Sequence, residues 1–188
     1  MIAGLVLAAG AGRRFGDAPK LLADLGGRPV LQHAIDAACA AGGLDRVVVV
    51  LGARAREVRA AIDLRSAEAI VCDAWDEGQS ASLRCGLERL ADAEKVLVLL
   101  GDQPLVTPAV VTRMAGEPPG ARAAYDGAPG FPAVLGPEQV RRARDLRGDQ
   151  GLRGETWRLV ECGPTAGARD VDTPEDLEAV RDEARAVL

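Results

Sequence analysis

Short, uniformly apolar runs constrain the fold of this chain more than any other feature. Two of them, VVVVL at 47–51 and VLVLL at 96–100, contain no polar residue that could face solvent. Strands covered on both faces have such runs, whereas half-exposed strands alternate apolar and polar side chains. Longer amphipathic segments separate the runs, which is the pattern of a parallel α/β sheet. We therefore predict a three-layer α/β fold with a mostly parallel central sheet.

The remaining elements follow from the same patterns. The predicted strands are Gly4–Ala8, Arg46–Leu51, Glu68–Cys72, Lys95–Leu100, Ala121–Tyr125, Ala133–Leu135 and Trp157–Cys162. The predicted helices begin at Pro29, Arg54, Ser80 or Ser82, Thr107, Pro137 and Thr173, where most have a capping residue or an N-terminal proline. Two turn-rich segments, 116–120 and 126–132, are predicted to be loops. No linker-like stretch divides the chain, so we expect residues 1–188 to form a single domain.

Composition excludes several classes of protein. The chain of 188 residues has a net charge of −5 and only 3% aromatic residues, whereas nucleic-acid binders usually carry a basic face or an aromatic stacking platform. No apolar run is long enough to cross a bilayer. The apolar N-terminus is followed, not preceded, by arginines, which is the wrong order for a signal peptide. We expect a cytoplasmic protein without nucleic-acid or membrane partners.

The cysteines and the single histidine do not form a recognisable reactive motif. Cys39, Cys72, Cys85 and Cys162 are widely spaced, as expected of small buried side chains rather than of a disulfide framework or a zinc site. His33 lies in a predicted helix, where a core or helix-surface role is expected. Because His33 is the single histidine, any catalytic triad or metal site that needs a histidine would have to include it.

A glycine loop follows the first predicted strand. Gly10, Gly12 and Gly16 allow the backbone to approach a ligand closely, and Arg13, Arg14 and Lys20 add positive charge. Backbone N–H groups that converge in this way bind phosphate oxygens. The loop is therefore predicted to bind a polyphosphate.

The two commonest nucleotide motifs do not fit this loop. A dinucleotide fingerprint needs a third glycine where Phe15 stands, and the second strand ends in Leu51-Gly52 without an acid. A P-loop needs glycine before its lysine, but Pro19 precedes Lys20. The sequence therefore favours a different, more cationic phosphate loop.

Two aspartates stand where the ligand crevice of a parallel sheet is expected. Asp102 follows the strand 95–100, and Asp172 precedes the last predicted helix, with Asp170 as a lesser candidate beside it. Carboxylates that combine with phosphate oxygens are typical of Mg²⁺ sites. Asp102 could equally serve as a helix cap or in a turn, and the glycine loop favours the metal interpretation for it. For Asp172 the ordinary interpretation is a favourable interaction with the N-terminus of the last helix. The segment Gly78–Ser82 presents backbone N–H groups and hydroxyls, although an ordinary helix start would look the same.

These segments together carry a family resemblance. Arg14-Phe15-Gly16 and Pro19-Lys20-Leu21-Leu22 resemble the N-terminal signature of nucleotidyltransferases that activate acceptors with NTPs. The pattern GxSxSLRxGL at 78–87 is similar to the base-recognition loop in the molybdenum cofactor cytidylyltransferase branch of the MobA-like NTP transferases. The resemblance covers almost the whole chain. It implies a Rossmann-like nucleotidyltransferase fold.

The resemblance also implies residue roles. In that family the arginine grips phosphate and the lysine stabilises charge at the α-phosphate, which makes Arg14, Lys20 and Asp102 the expected catalytic residues. Asp102 and Asp172 are the expected Mg²⁺ ligands. The NTP, with CTP favoured over GTP, is expected to contact Leu7, Ala8, Ala9, Gly10, Gly12, Arg13, Arg14, Lys20, Gly78, Ser80 and Ser82.

The acceptor is less constrained. The segments Tyr125–Gly130 and Gly148–Arg153 resemble acceptor-side loops of this branch, which implies a phosphate-bearing acceptor such as molybdopterin and a molybdoenzyme partner. Phe131 stands where the branch commonly has histidine, so the acceptor can differ. The alternatives are a guanylyltransferase, a sugar-phosphate nucleotidyltransferase or a non-catalytic cofactor-insertion protein. The failed dinucleotide fingerprint disfavours an NAD(P)-dependent oxidoreductase.

Overall fold

A central sheet with helices on both faces organises the protein in a computed structural model, which describes residues 1–152 and 156–187. The strands are β1 (Ile2–Ala8), β2 (Asp24–Leu25), β3 (Arg28–Pro29), β4 (Arg46–Leu51), β5 (Glu68–Val71), β6 (Lys95–Leu100), β7 (Ala121–Tyr125), β8 (Ala128–Leu135) and β9 (Arg158–Glu161). The α-helices are α1 (Val30–Ala40), α2 (Ala55–Ala61), α3 (Gln79–Arg89), α4 (Pro108–Ala115), α5 (Pro137–Ala143) and α6 (Pro174–Val187).

The sheet has seven strands in the order β5-β4-β1-β6-β8-β7-β9. Strands β5, β4, β1 and β6 run parallel, β8 is antiparallel to both of its neighbours, and β9 is parallel to β7. Strands β2 and β3 form a separate small hairpin. The prediction of a mostly parallel sheet in a three-layer α/β fold is confirmed.

Two apolar layers hold the helices against the sheet. Successive side chains of each central strand point to opposite faces, so Val49 packs beneath α1, α2 and α4 while Val48 packs beneath α3 and α5. Both valines are completely buried. This explains why the central strands are apolar throughout, since each buried aliphatic side chain stabilises the fold by about 1.5–3 kcal/mol.

The strand ends bring distant segments to one edge of the sheet. Leu7 at the end of β1 is in register with Leu100 at the end of β6, so the glycine loop and Asp102 begin side by side. The backbone N–H of Val171 donates to the Asp102 carbonyl at 2.9 Å. The segment that carries Asp172 therefore reaches the same edge.

Two predicted helix caps are confirmed. The Thr107 hydroxyl accepts a hydrogen bond from the Val110 N–H at the start of α4. At the start of α6, the Asp176 carboxylate accepts from the Thr173 N–H while the Asp176 N–H donates to the Thr173 hydroxyl. This reciprocal capping box fixes the segment just after Asp172.

Two sequence predictions about element boundaries are wrong. The segment 126–132 is not a loop, because β8 begins at Ala128 and only Asp126 and Gly127, with φ of 48° and 79°, form the hairpin turn. Helix α3 begins at Gln79 with Gly78 as its N-cap, so Ser80 and Ser82 lie inside the helix and neither caps it.

The remaining sequence predictions have mixed outcomes. All four cysteines are free thiols, but of the four only Cys72 is buried, while Cys39, Cys85 and Cys162 are half-buried. His33 is a buried residue of α1 whose Nε2 lies 2.9 Å from the Leu25 carbonyl oxygen. Among the described helices, none is both long and apolar enough to cross a membrane. That residues 1–188 form one domain stays a prediction.

Candidate active site

A cleft of about 650 Å³ opens at the edge where β1 and β6 end. Most of the residues predicted to bind nucleotide line it, namely Leu7, Ala8, Ala9, Gly10, Gly12, Arg13, Arg14, Lys20, Gly78 and Ser82, together with Asp102. Ser80 and Asp172 do not line this cleft, although Asp172 contacts two of its cationic residues. The cleft lies where ligands bind in open parallel sheets, outside the carboxyl ends of the strands.

Gly12 shapes the phosphate loop. Its φ is +61°, and a Cβ built there would lie 2.9 Å from Lys20 Cγ. The aliphatic stem of Lys20 therefore occupies the space that a side chain at position 12 would need. A one-turn helix, Arg13–Phe15, follows and projects its two arginines at the cleft.

Lys20 forms the centre of an ionic cluster. Its Nζ donates to Asp102 Oδ2 at 2.6 Å and to Asp172 Oδ1 at 2.9 Å, and its side chain is only 10% exposed. Burial acts to lower the pKa of Lys20, but the adjacent charges of Asp102 and Asp172 outweigh it and raise that pKa above its ordinary value. Lys20 is therefore a fixed positive charge.

Arg14 completes the cluster from the solvent side. Its Nη2 donates to Asp172 Oδ2 at 2.8 Å, while 73% of its side chain is exposed. One carboxylate thus receives a different cation on each of its oxygens. Arg14 also lines the cleft, so its other guanidinium donors are placed to bind an anion there.

The donor set fits a hard divalent cation. The carboxylates of Asp102 and Asp172 converge on one positive group, Lys20 Nζ, which is the arrangement that a shared cation requires. Within residues 1–152 and 156–187, no group of three histidine, cysteine or acidic side chains could hold a metal ion. Two carboxylates completed by phosphate oxygens and water are a typical Mg²⁺ site.

Asp170 lies behind this pair rather than within it. Its Oδ1 accepts a hydrogen bond from Gln103 Nε2 at 2.8 Å. Loss of solvent around its carboxyl, followed by the negative charge of Asp102, raises the pKa of Asp170 to about 6, against the hydrogen bond from Gln103.

The start of α3 forms the opposite wall of the cleft, and one of its predicted contacts has another partner. Ser80 is completely buried, and its hydroxyl donates to the Gly148 carbonyl at 2.7 Å. It therefore anchors the turn at 148–150 and does not face the cleft, contrary to the sequence expectation. Ser82, two residues further along the helix, does line the cleft.

Sequence reasoning did not assign several residues of the cleft. Trp75, Asp76, Glu77, Gln79 and Asp149 also line it. A signal for Trp75 was present, since tryptophan is rare in this chain and precedes Gly78 by three residues. Asp149 lies in the segment Gly148–Arg153, which the sequence assigned to the acceptor side, and the structure brings it to this wall, where its carboxylate accepts a hydrogen bond from the Gln79 N–H at 3.2 Å.

Phe131, which stands on β8 where the resemblance implied a histidine, contacts residues of the neighbouring strand β7. The Arg122 guanidinium lies 4.9 Å from the centre of the Phe131 ring and 6.0 Å from that of Trp157. The Tyr125 hydroxyl donates to the Phe131 carbonyl at 2.7 Å. Arg153, at the end of the second predicted acceptor loop, lies outside the described residues.

Comparison with solved structures gives close matches over nearly the whole chain. Rv0371c from Mycobacterium tuberculosis H37Rv is 31% identical with a TM-score of 0.86, over 96% of this chain and 97% of that one. The same protein has also been crystallised as a complex with manganese. A nucleotidyl transferase from Methanothermobacter thermautotroptrophicus is 28% identical with a TM-score of 0.85, over 99% of each chain.

Sequence comparisons agree on the family. Nicotine blue oxidoreductase from Paenarthrobacter nicotinovorans is 32% identical over 94% of both chains. The family model for the MobA-like NTP transferase domain matches residues 4–161, which include the glycine loop, Lys20 and Asp102. The chain therefore belongs to the MobA-like NTP transferase family and is a nucleotidyltransferase.

Proposed function

We propose that this protein transfers a nucleoside monophosphate, CMP from CTP, onto a phosphate-bearing acceptor such as molybdopterin and releases pyrophosphate. The observation that carries the proposal is the position of Lys20 Nζ between the carboxylates of Asp102 and Asp172, beside the glycine loop. Pure nucleotide binding needs the loop and its cations, but it does not need two converging carboxylates.

The reaction requires little acid–base chemistry from the protein. An oxygen of the acceptor phosphate attacks the α-phosphorus, a new P–O bond forms, and the bond from the α-phosphorus to the bridging oxygen breaks as pyrophosphate leaves. The acceptor oxygen is already ionised, so no general base has to remove a proton. Catalysis then depends on positioning and on stabilising negative charge, as in other phosphoryl transfers.

The side chains of the cleft divide this work. Backbone N–H groups of Gly10–Gly16 and the free donors of Arg14 bind the triphosphate. Lys20 carries the fixed positive charge that opposes charge developing at the α-phosphate. Asp102 and Asp172 would hold Mg²⁺, which supplies Lewis-acid stabilisation of that charge when it is bound.

The base and acceptor preferences rest on residues outside the ionic cluster. CTP is favoured over GTP because the loop at 78–87 resembles that of the cytidylyltransferase branch. Guanylyl transfer and transfer onto a sugar phosphate are the alternatives, and a molybdoenzyme would receive a molybdopterin product. We propose a cytoplasmic location, which is where free nucleotides and such acceptors occur.

The proposal is tested in two steps. Thermal-shift titrations with ATP, CTP, GTP and UTP plus Mg²⁺ should show the largest stabilisation with CTP, because a ligand that binds only the folded state stabilises it. Pyrophosphate release from CTP should then require molybdopterin or another phosphate monoester. If pyrophosphate release requires GTP instead of CTP, the base preference proposed above is wrong, and if it requires a sugar phosphate, the acceptor is wrong. No pyrophosphate release with any combination of nucleotide and acceptor would contradict the proposal.

Redox chemistry is a second candidate, favoured by one observation. The full-length relative from Paenarthrobacter nicotinovorans is named an oxidoreductase. The glycine loop lacks a dinucleotide fingerprint, since Phe15 takes the place of the third glycine. A change in NAD(P)H absorbance with nicotine blue as the oxidant would support this candidate, whereas no such change alongside pyrophosphate release would exclude it.

A further inference from the structure

Gln103 is a buried glutamine that joins the two segments carrying the aspartate pair. It follows Asp102 directly and is only 3% exposed. Its Nε2 donates to the Ala168 carbonyl at 3.1 Å and to Asp170 Oδ1 at 2.8 Å. One side chain thus spans from the end of β6 to the segment that leads into Asp172.

Other contacts also hold Asp172 near Asp102. A backbone hydrogen bond joins Val171 N–H to the Asp102 carbonyl, and the Asp176 carboxylate accepts from the Asp172 N–H at 3.2 Å. Lys20 links the two carboxylates directly from the cleft. Gln103 adds a side-chain connection of a different kind, because it contacts the residues that precede Asp172 and not the carboxylates of the pair.

The oxygen of the Gln103 side-chain amide indicates that this glutamine does more than satisfy buried polar groups. Gln103 Oε1 is buried and, within the part of the chain that the structure describes, has no hydrogen-bond partner. An unpaired buried oxygen destabilises the folded state. Packing alone would be served as well by an apolar side chain of the same length, such as methionine.

We infer that Gln103 is a positioning residue for the metal-binding aspartates, acting by holding the segment 168–172 at the distance from Asp102 that lets both carboxylates reach one cation. This inference rests on the metal site of the proposed function. Residues that orient metal ligands from behind typically change metal affinity by about 10–100-fold when they are removed. Asp170, on this account, is the acceptor that Gln103 grips and not itself a ligand.

The chain contains a matched control. Gln32 is also a buried glutamine, at 5% exposure, and its Nε2 also donates to one carboxylate, Asp36 at 2.9 Å, and to one backbone carbonyl, Asp63 at 2.9 Å. It lies on α1 and contacts neither aspartate of the site. Gln32 Oε1 also accepts a hydrogen bond from the Asp63 N–H at 2.8 Å, so Gln32→Met removes three hydrogen bonds whereas Gln103→Met removes two. The control is therefore the more demanding substitution for the folded state.

The test measures Mn²⁺ binding to the full-length protein, by the loss of the electron paramagnetic resonance signal of free Mn²⁺, without and with CTP. We expect Gln103→Met to weaken Mn²⁺ binding at least about tenfold, whereas Gln32→Met stays within about twofold of the wild type. Equal binding by Gln103→Met and the wild type, in a protein with unchanged circular dichroism, overturns the positioning role. If Gln103→Met does not fold, Gln103→Glu serves as the second variant, because glutamate has the same shape as glutamine. Its carboxylate repels that of Asp170, so the same weakening of Mn²⁺ binding is expected.

Two further variants separate this inference from the proposed function. Asp102→Asn should lose Mn²⁺ binding. If Asp102→Asn loses Mn²⁺ binding while Gln103→Met binds Mn²⁺ normally, only the positioning role of Gln103 is wrong. If both variants bind Mn²⁺ normally, the proposed metal site is wrong as well. Asp170→Asn retains an oxygen that can accept from Gln103, so we expect nearly normal Mn²⁺ binding. A loss as large as that of Asp102→Asn would make Asp170 a ligand and would overturn its role as the residue that Gln103 grips.

Discussion

Lys20 Nζ and Asp102 Oδ2 are 2.6 Å apart, although 82 residues separate them in the sequence. This contact places an ammonium group against a carboxylate that is expected to bind a divalent cation. A second hydrogen bond, to Asp172, means that the ammonium contacts both proposed ligands at once. In the nucleotide-free protein, Lys20 therefore neutralises the charges that a metal ion would otherwise neutralise.

Lys20→Met should consequently affect metal binding and catalysis in opposite directions. Without the ammonium, Asp102 loses its cationic partner and Asp172 keeps only its contact with Arg14. The variant without nucleotide should therefore bind Mn²⁺ more tightly, by at least roughly tenfold, the effect of losing even one of the two charge-assisted hydrogen bonds. The chemical step should slow by more than the CTP affinity falls, because the charge at the α-phosphate loses its stabilisation. Titration with Mn²⁺ and single-turnover kinetics measure the two effects, and unchanged Mn²⁺ affinity would show that Lys20 does not compete with the metal.

The two serines of α3 should behave differently. Ser80→Ala removes a buried hydrogen bond to the Gly148 carbonyl, so it should lower the free energy of unfolding by about 1–3 kcal/mol. The affinity of the folded protein for CTP should stay unchanged. Ser82→Ala should change the CTP affinity with little effect on stability, because Ser82 lines the cleft. Urea denaturation and CTP titration of both variants check this, and the reverse pattern would restore Ser80 as a nucleotide contact.

His33 should make stability depend on pH. Burial lowers its pKa below the ordinary value of 6.5, so the unfolded chain takes up a proton more readily than the folded one. The resulting stabilisation is fully present above pH 6.5 and decreases as the pH falls below it, by at most about 1.4 kcal/mol per pH unit. His33→Gln should remove that decrease between pH 7 and pH 5.

The comparison of His33→Gln with the wild type isolates this effect from that of Asp170. Because the pKa of Asp170 is raised to about 6, its contribution to stability is present at low pH and is lost as the pH rises through 6, the opposite direction. Urea denaturation at pH 7.5, 6.5 and 5.5 gives the difference between the two proteins. A difference that does not change with pH would mean that His33 is not held neutral by burial.

The parts of the site that local sequence determines were predictable. The apolar run before Asp102 defines the end of a buried strand, and the rule that ligands bind beyond such strand ends brings Asp102 to the same edge as the glycine loop. The threonine–proline start of α6 likewise locates Asp172. The residues themselves therefore indicated both aspartates and Lys20 as members of one site.

The parts that depend on distant contacts were not predictable. A serine near the start of a helix has the same local sequence whether its hydroxyl faces a ligand or a neighbouring turn. For Ser80 the partner is the Gly148 carbonyl, which lies 68 residues away in the sequence. Strand β8 contains Pro129 and Gly130 near its start, where these residues locally favour a turn, but the strand pairs with β6 on one side and β7 on the other. Gln103 carried no signal, because its partner Asp170 is 67 residues away.

The most direct test of the central claim is pyrophosphate release by Asp102→Asn at saturating CTP, Mg²⁺ and acceptor, compared with Asp182→Asn. Asp182 is exposed on α6 and pairs there with Arg185, so that variant should match the wild type. We expect Asp102→Asn to lose at least about a hundredfold in turnover, the effect of removing one main source of charge stabilisation, while CTP still stabilises it in a thermal-shift assay. Normal turnover by Asp102→Asn would contradict the claim that this aspartate holds the metal for nucleotidyl transfer.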